Sequence, residues 1–373
     1  MRKDISLLIL GWEFPPNNVG GLGTHTYNLV KSLVKKGIKV NLALPKGEKE
    51  IIEGVNYIEL PKLSVKYGSK LNFSNNSNNI IEQVENYKKA MKIVKDYNFD
   101  LIHSLDWLTS DAGVYLKQLT NKKLLVAMHS LEYDRTGGHP WKYIEDKERY
   151  VTEKADIVVA VSERTKEEIV KFYNINPNKI RVIYNGINVN QFKTDKKKKF
   201  VLYVGRLTPQ KGVDHLIRAF KIATKFTNDT YLIIAGDGPD RDYLLNLTIS
   251  LNLQDKVIFL GRVSDEELVD LYAKASVFVM PSVSEPFGIT ALEAAASKTP
   301  TIISKQSGVK EVLDSAITVD FWDEYALADY IHGLLSYPYV KEELGEALYR
   351  KVTTLSWDAV ADRYIEVYNE LLQ

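Results

Sequence analysis

Short apolar runs rich in β-branched residues alternate along almost the whole chain with longer stretches in which apolar residues recur every three or four positions. Continuous apolar runs fit strands buried on both faces of a parallel sheet, and the 3.6-residue rhythm fits the helices that cover it. In the first half, Ser6–Leu10, Val40–Leu44, Leu101–His103, Leu124–His129 and Ile157–Val161 are expected strands. A helix is expected from near Gly23, with Tyr27, Val30, Leu33 and Val34 on one face and Gly37 as its stop. The polar stretch Asn72–Asn79 reads as an exposed loop, and its sequons at Asn72 and Asn75 carry no meaning in a cytosolic chain.

The pattern then restarts. Asn185–Lys199 holds an Asn-Gly turn and the four lysines Lys196 to Lys199, and reads as a linker. New strands are expected at Val201–Val204, Tyr231–Ala235, Val257–Leu260, Val277–Met280 and Thr301–Ile303, each followed by a helical pattern. The last pattern, from Trp357, is amphipathic through Val360, Tyr364, Val367 and Leu371, so it needs a surface to pack on. The expected fold class is α/β, with two Rossmann-like doubly wound parallel-sheet domains, residues 1–186 and 187–356. Such sheets bind ligands at the carboxyl ends of their strands, which places a cleft between the two halves.

Length agrees with this division, because 373 residues exceed what one hydrophobic core supports. Lys and Arg (49) nearly balance Asp and Glu (48), for a net charge of +1; nothing in that balance asks for nucleic acid or an anionic membrane as partner. The absence of cysteine removes disulfides, thiolate metal sites and Cys nucleophiles. The apolar run ending at Leu10 is too short for a signal peptide, and no stretch approaches the roughly 20 apolar residues of a membrane span. A cytoplasmic protein is expected.

Three constellations carry chemistry. After the first strand come Trp12-Glu13-Phe14-Pro15-Pro16 and Gly20-Gly21-Leu22-Gly23-Thr24. Gly21 and Gly23 let backbone N–H groups approach an anion at a helix start. The dinucleotide reading is weak, since Thr26 stands where a third glycine belongs, and no Gly-Lys-Ser/Thr follows to make a P-loop. After the first strand of the second half, Arg206 and Lys211 flank a Pro-containing turn, where two fixed cations suit a diphosphate. Each taken alone is more often a solvated surface charge, and it is their place at the mouth of the expected cleft that points to a ligand. The most specific is Glu285-Pro286-Phe287-Gly288-Ile289-Thr290-Ala291-Leu292-Glu293. Its turn opens a helix, so Phe287, Gly288, Ile289 and Thr290 offer backbone N–H groups to an anion. The helix dipole explains Glu285 well, and Glu293, among small residues past the first turn, poorly.

Two histidines, His103 and His129, end apolar strands and so point at the cleft, although a neutral imidazole bonded to backbone explains each equally well. They lack the third ligand of a metal site. Asp240-Arg241-Asp242 matches the acidic pair of metal-dependent sugar transferases, but it opens a helix after a turn, so N-capping is the better account. Lys88, Lys89, Lys92 and Lys95 read as a solvated helix face. The segment Leu131–Tyr150 is a candidate acceptor loop, with Tyr133, Trp141 and Tyr143 available to stack on sugar rings or to join the core.

These residues together resemble family 4 of the glycosyltransferases, with the GT-B fold, and the order and spacing match over essentially the whole chain. Within the family, Trp12–Gly23 and Asp100-Leu101-Ile102-His103…Asp106-Trp107 are similar to the glycogen and starch synthase branch. That branch carries a lysine where Asn18 stands here and a second histidine where Leu105 stands.

The resemblance implies a retaining, metal-independent hexosyltransferase without cofactor. A nucleoside diphosphate sugar, UDP- or ADP-glucose, would be donor and co-substrate, and a glycan the acceptor. It assigns Gly21 and Gly23 to the donor diphosphate, Arg206 and Lys211 to the phosphates, and Phe287 to Thr290 to backbone donation. Val263 and Asp265 lie near base and ribose, Glu293 binds ribose, and Glu285 and His129 act at the transferring sugar. His103, Asp106, Tyr133 and Trp141 are acceptor-side candidates. The helix 357–373 would cross back onto the first domain. The alternatives are a lipid- or small-molecule-linked acceptor, a GT-B sugar-nucleotide epimerase, a pyridoxal phosphorylase, or a binding protein without catalysis.

Overall fold

The computed structural model describes residues 5–16, 20–61, 73–227 and 229–373. Asn18 and Asn72 lie outside them. Up to Asn185 the chain forms β1 (Ser6–Leu10), α1 (Gly21–Lys35), β2 (Lys39–Pro45), β3 (Val55–Leu60), α2 (Phe73–Val94), β4 (Leu101–Leu105), α3 (Asp106–Thr120), β5 (Lys123–Met128), α4 (Glu132–Arg135), α5 (Lys142–Lys154), β6 (Ile157–Ala160), α6 (Glu163–Tyr173) and β7 (Ile180–Val182). It continues with β8 (Lys198–Val204), α7 (Val213–Ala223), β9 (Tyr231–Ala235), α8 (Arg241–Ser250), β10 (Val257–Gly261), α9 (Asp265–Lys274), β11 (Ala275–Met280), α10 (Ile289–Ala296), β12 (Thr301–Ser304), β13 (Ile317–Val319), α11 (Glu324–Ser336), α12 (Pro338–Val352) and α13 (Trp357–Leu371).

Two compact units result. Unit 1 takes the chain through Tyr133, Gly138–Asn185 and Trp357–Gln373; unit 2 takes Asp134–Gly137 and Gly186–Ser356. The unit 1 sheet has the order β3-β2-β1-β4-β5-β6-β7, and the unit 2 sheet β10-β9-β8-β11-β12-β13. Every pairing in both is parallel. In each sheet the order reverses beside the first strand, between β1 and β4 and between β8 and β11. That reversal opens a crevice at the carboxyl ends, where doubly wound sheets receive ligands.

The alternation of side chains along each strand divides unit 1 into two apolar layers. Leu8, Leu10, Ile102, Leu124, Val126, Met128 and Val158 join the layer beneath α2, α3, α5 and α6. Leu7, Ile9, Leu101, Leu125, Ala127, Ile157 and Val159 join the other, which α1 covers with Leu29, Val30 and Leu33 and α13 with Val360, Tyr364, Val367, Tyr368 and Leu371. Ion pairs Lys35–Asp358 at 2.5 Å and Lys36–Asp362 at 2.7 Å join these two helices at their exposed edge.

Several expectations are corrected. Residues 73–79 are the start of α2 rather than a loop, because the helix runs on ahead of its apolar face (Ile80, Val84, Tyr87, Met91, Val94). Lys88 on that helix is paired with buried Asp111 rather than merely solvated. The segment Leu131–Tyr150 is mostly helical, since Ile144, Glu145, Glu148, Val151 and Thr152 give α5 a buried face at helical spacing. The strand with His103 runs on to Leu105. Strands β3, β7 and β13 went unexpected; all three lie at sheet edges, where a strand needs no continuous apolar run.

Lys197, in the expected linker, is an anchor of unit 2. Its ammonium donates to the Ala273 carbonyl (2.9 Å), the Ser297 carbonyl (2.9 Å) and Thr299 Oγ1 (2.6 Å), at the carboxyl ends of α9 and α10. A cation there satisfies carbonyls that helix geometry leaves unpaired. Lys197→Met is expected to destabilise the protein by about 2 kcal/mol, read as a lowered midpoint in urea denaturation followed by circular dichroism.

Candidate functional site

In unit 2 the site grows from the ends of the adjacent strands β8 and β11. After β8 the chain turns through Gly205 and Arg206 into the short 3-10 turn Pro209–Lys211. Gly212 closes that turn at φ +61°, and a Cβ there would meet the Pro281 carbonyl oxygen at 2.3 Å, so only glycine lets the two loops touch. Gln210 ties them together: its backbone carbonyl accepts from Val283 N–H (2.9 Å) and its Nε2 donates to the Ser284 carbonyl (3.0 Å).

This clamp delivers Lys211 to Glu285. The ammonium donates to Glu285 Oε2 at 2.6 Å, and Ser282 Oγ donates to the same oxygen at 3.0 Å. Glu285 is 9% exposed, so the pair is a placed, nearly dry group and not two solvated charges. Arg206, half-buried, has no ion pair among the described residues. Gly288 stands at the start of α10 with φ +112°, a backbone conformation that favours glycine. The N–H groups of Ile289 and Thr290 then precede the first intrahelical bond of α10. Phe287 is buried and its carbonyl accepts from Val309 N–H.

Glu293 lies one turn into α10, where Tyr272 Oη donates to it at 2.7 Å. Burial pushes its carboxyl up to about 7; the Tyr272 bond opposes the shift and the charge of Asp265 adds to it. Asp265 is the exposed first residue of α9, behind the capping box of Ser264 and Glu267; Val263 lies in the preceding loop, half-buried. Asp240 does hold the N-cap position of α8, but its carboxylate makes no capping bond. With φ −83° and ψ 1° it is off the extended backbone that aims a cap at the next turn.

In unit 1, α1 begins at Gly21, two residues earlier than expected, so Gly21 and Gly23 both lie in its first turn, whose N–H groups have no acceptor in the helix. Trp12 and Phe14 go to the core instead: Trp12 packs on Tyr87, and Phe14 on Tyr27 and Tyr57. Asp106 opens α3 at φ +50°, and its Oδ1 accepts from the His129 backbone N–H at 2.6 Å. Tyr133 stacks on Phe172 at 3.9 Å, and Trp141 packs beside Tyr143 against the core, so both are partly spent as structural side chains.

His103 is fully enclosed, which removes it from direct contact with an acceptor in this conformation. Its Nδ1 bonds Tyr368 Oη at 2.8 Å and its ring stacks on Tyr364. Two sequence-silent partners join it, His25 from α1 and Asn185, bonded at 2.7 Å. The Nε2 atoms of His25, His103 and His129 and the Tyr364 hydroxyl are buried without a partner. Burial drives His103 and His129 down to about 3, each also disfavoured by a neighbouring imidazole, and drives His25 well below its ordinary 6.5. His129 retains some exposed surface, but its enclosed Nε2 supports the same direction. Among the described residues no three His, Cys, Asp or Glu are grouped to hold a metal ion, and no helix is long and apolar enough to cross a membrane.

The sequence matches the model of the glycosyl transferases group 1 over residues 186–351 and that of glycosyltransferase family 4 over residues 19–191. An uncharacterized glycosyltransferase of Methanocaldococcus jannaschii is 34% identical, over 98% of each chain. The chain is a family 4 glycosyltransferase. A glycogen synthase of Mycobacterium tuberculosis is 26% identical over 97% of this transferase and 94% of its own length. Among solved structures, sucrose-phosphate synthase of Thermosynechococcus elongatus superposes with a TM-score of 0.81 at 24% identity, covering 98% and 99% of the two chains. Anabaena HepE, solved with UDP and glucose, superposes at 0.77 and 17% identity, covering 98% and 99%. The two parallel sheets and these neighbours make the fold GT-B, and the epimerase alternative is not favoured.

Protonation of the buried imidazoles supplies a test. Their folded-state pKa values lie below the ordinary 6.5, so between pH 6.5 and 3 the unfolded chain binds more protons than the folded one. Stability present above pH 6.5 is therefore lost as the pH falls through that window. The melting temperature by scanning calorimetry is expected to drop steadily from pH 6.5 to 4.5; a flat profile contradicts the arrangement.

Proposed function

We propose that this transferase moves a glucosyl group from a nucleoside diphosphate sugar to a glycan acceptor, with retention of configuration and without a metal ion. The observation that carries the reading is the Lys211–Glu285 pair at the β8/β11 crevice, beside Arg206 and the start of α10. Two cations and a row of backbone N–H groups suit a diphosphate, whose negative charge grows as the bond to the sugar breaks. Fixed donors then stabilise the transition state more than the ground state. This chemistry, the UDP and glucose found with HepE, and the glycogen synthase relative all support a UDP- or ADP-glucose donor. Retention rests on the family resemblance alone.

In this reading Glu285 accepts from hydroxyls of the transferring sugar, its position set by Lys211 and Ser282. Glu293 accepts from the ribose, with Val263 and Asp265 near base and ribose, and Gly21 and Gly23 serve the diphosphate. His129, which keeps some exposed surface, acts at the donor sugar and phosphate, and Asp106 holds its backbone. No resident cofactor is required.

The reading is tested by a panel of nucleotide sugars with a glucan primer, following nucleoside diphosphate release. UDP- or ADP-glucose is expected to turn over equally in EDTA; silence toward the whole panel, or turnover only with divalent metal, refutes it. Glu285→Ala is expected to lower kcat by about two orders of magnitude or more. Because the Glu293 carboxyl loses its charge below about pH 7, donor KM is expected to rise as the pH falls from 8 to 6. Glu293→Gln should raise KM and flatten that dependence.

A further inference from the structure

His25 is 1% exposed on the buried face of α1, one turn behind Gly21. A core position on such a helix ordinarily takes an aliphatic residue, because a buried polar ring without full hydrogen bonding costs stability. Here the ring makes one hydrogen bond, Nδ1 to Asn185 Oδ1 at 2.7 Å, and leaves Nε2 unpartnered. With the amide oxygen as acceptor, Nδ1 carries the proton. The neighbours of the ring give its place a further meaning. It stands edge-on to His129 with ring centroids 4.2 Å apart and to Trp357 at 5.5 Å. Asn185 is the last residue before the chain leaves unit 1 and Trp357 the first after it returns. The residues just beyond are themselves joined, Ile187 N–H to the Leu355 carbonyl at 2.7 Å. One imidazole thus touches Asn185, where the chain leaves unit 1 for residues 186–356, Trp357, where it returns from them, and also the ring of His129.

We propose that His25 is a positioning residue: held by Asn185 and Trp357, it fixes the ring of His129 in the orientation used on the donor. The inference rests on the assignment of His129 to the donor sugar. His129 stands just past the end of β5 and its backbone is already fixed by Asp106; what remains to be set is the side-chain torsion. An edge-on ring at 4.2 Å sets it by contact, and the Asn185 bond keeps that contacting ring from turning. Small misplacement of a group near the reacting atoms carries a large kinetic cost.

The test is a double-mutant cycle using UDP-glucose and a glucan primer. Asn185→Ala and His25→Phe each remove the anchoring bond, and His25→Phe keeps a ring of similar size. Each is expected to lower kcat about tenfold while donor KM changes less than about twofold. In a His129→Ala background the same changes are expected to have no further effect on kcat, because their effect runs through the missing ring. A purely structural role would lower the melting temperature alike in both backgrounds and leave kcat per folded molecule unaltered. Losses that multiply in the double variants, or full kcat in both single variants, overturn the proposal. Should His25→Phe fail to fold, Asn185→Ala carries the cycle alone. Wild-type turnover by His129→Ala is a different outcome: it removes His129 from the donor, and the positioning role with it. A disabled His129→Ala beside fully active His25 and Asn185 variants leaves the donor assignment standing and removes only the positioning role.

Discussion

A parallel sheet has no side that tolerates water, and in unit 1 that constraint governs much of the rest. Leu7, Ile9, Leu125 and Val159 project from the strands toward one face, and the helices that cover it are α1 and α13. Removing side chains of this kind from water is worth roughly 1.5–3 kcal/mol each, so α1 has little freedom in where it lies. Its first turn is thereby carried to the end of β1, with glycines at Gly21 and Gly23. The unpaired N–H groups of that turn are thus placed by the covering of a sheet.

Unit 2 answers the same requirement differently. Its crevice is assembled by loop-on-loop contact: Gly212 against Pro281, Gln210 against Val283 and Ser284, and Lys211 against Glu285. Each contact crosses between the turns that follow β8 and β11, neighbours in the sheet though far apart in sequence. A nearly dry ion pair contributes little net stability, because taking both charges out of water offsets most of their attraction. What the pair supplies is placement, fixing the orientation of the Glu285 carboxylate at the crevice. Ser282 adds a second donor to the same oxygen.

Much of this was legible in the residues. Strands buried on both faces announce themselves as unbroken apolar runs, and the expected runs became strands with ends within a few residues. Edge strands such as β3, with its alternating Tyr57, Ile58, Glu59 and Leu60, carry no such signal. Arg206, Lys211, Glu285 and Glu293 stood out because they are charges at the mouth of the expected cleft, and the structure pairs Lys211 with Glu285. Ser282, Gln210 and Tyr272 were missed: Gln210 and Tyr272 bond residues distant in sequence, and Ser282, three positions before Glu285, looks like any loop serine. The histidine cluster was half seen: His103 and His129 stood out at strand ends, whereas His25, inside a helix, drew no reading. Its meaning depends on Asn185, 160 positions away, and no local pattern reports that distance. Asp240 shows the opposite error, a plausible cap whose backbone torsions withhold the bond.

Helix α13 lies after all of unit 2 in the chain and yet completes the interior of unit 1. On a ribosome, therefore, the first sheet emerges early with one face half clothed, and waits while an entire second unit is made. Tyr364, Tyr368 and Trp357 arrive only then, closing over imidazoles that have meanwhile been open to water. The protein thus acquires its dry histidine chamber only after the whole of unit 2 has been made, and a chain that stops short of α13 never acquires it.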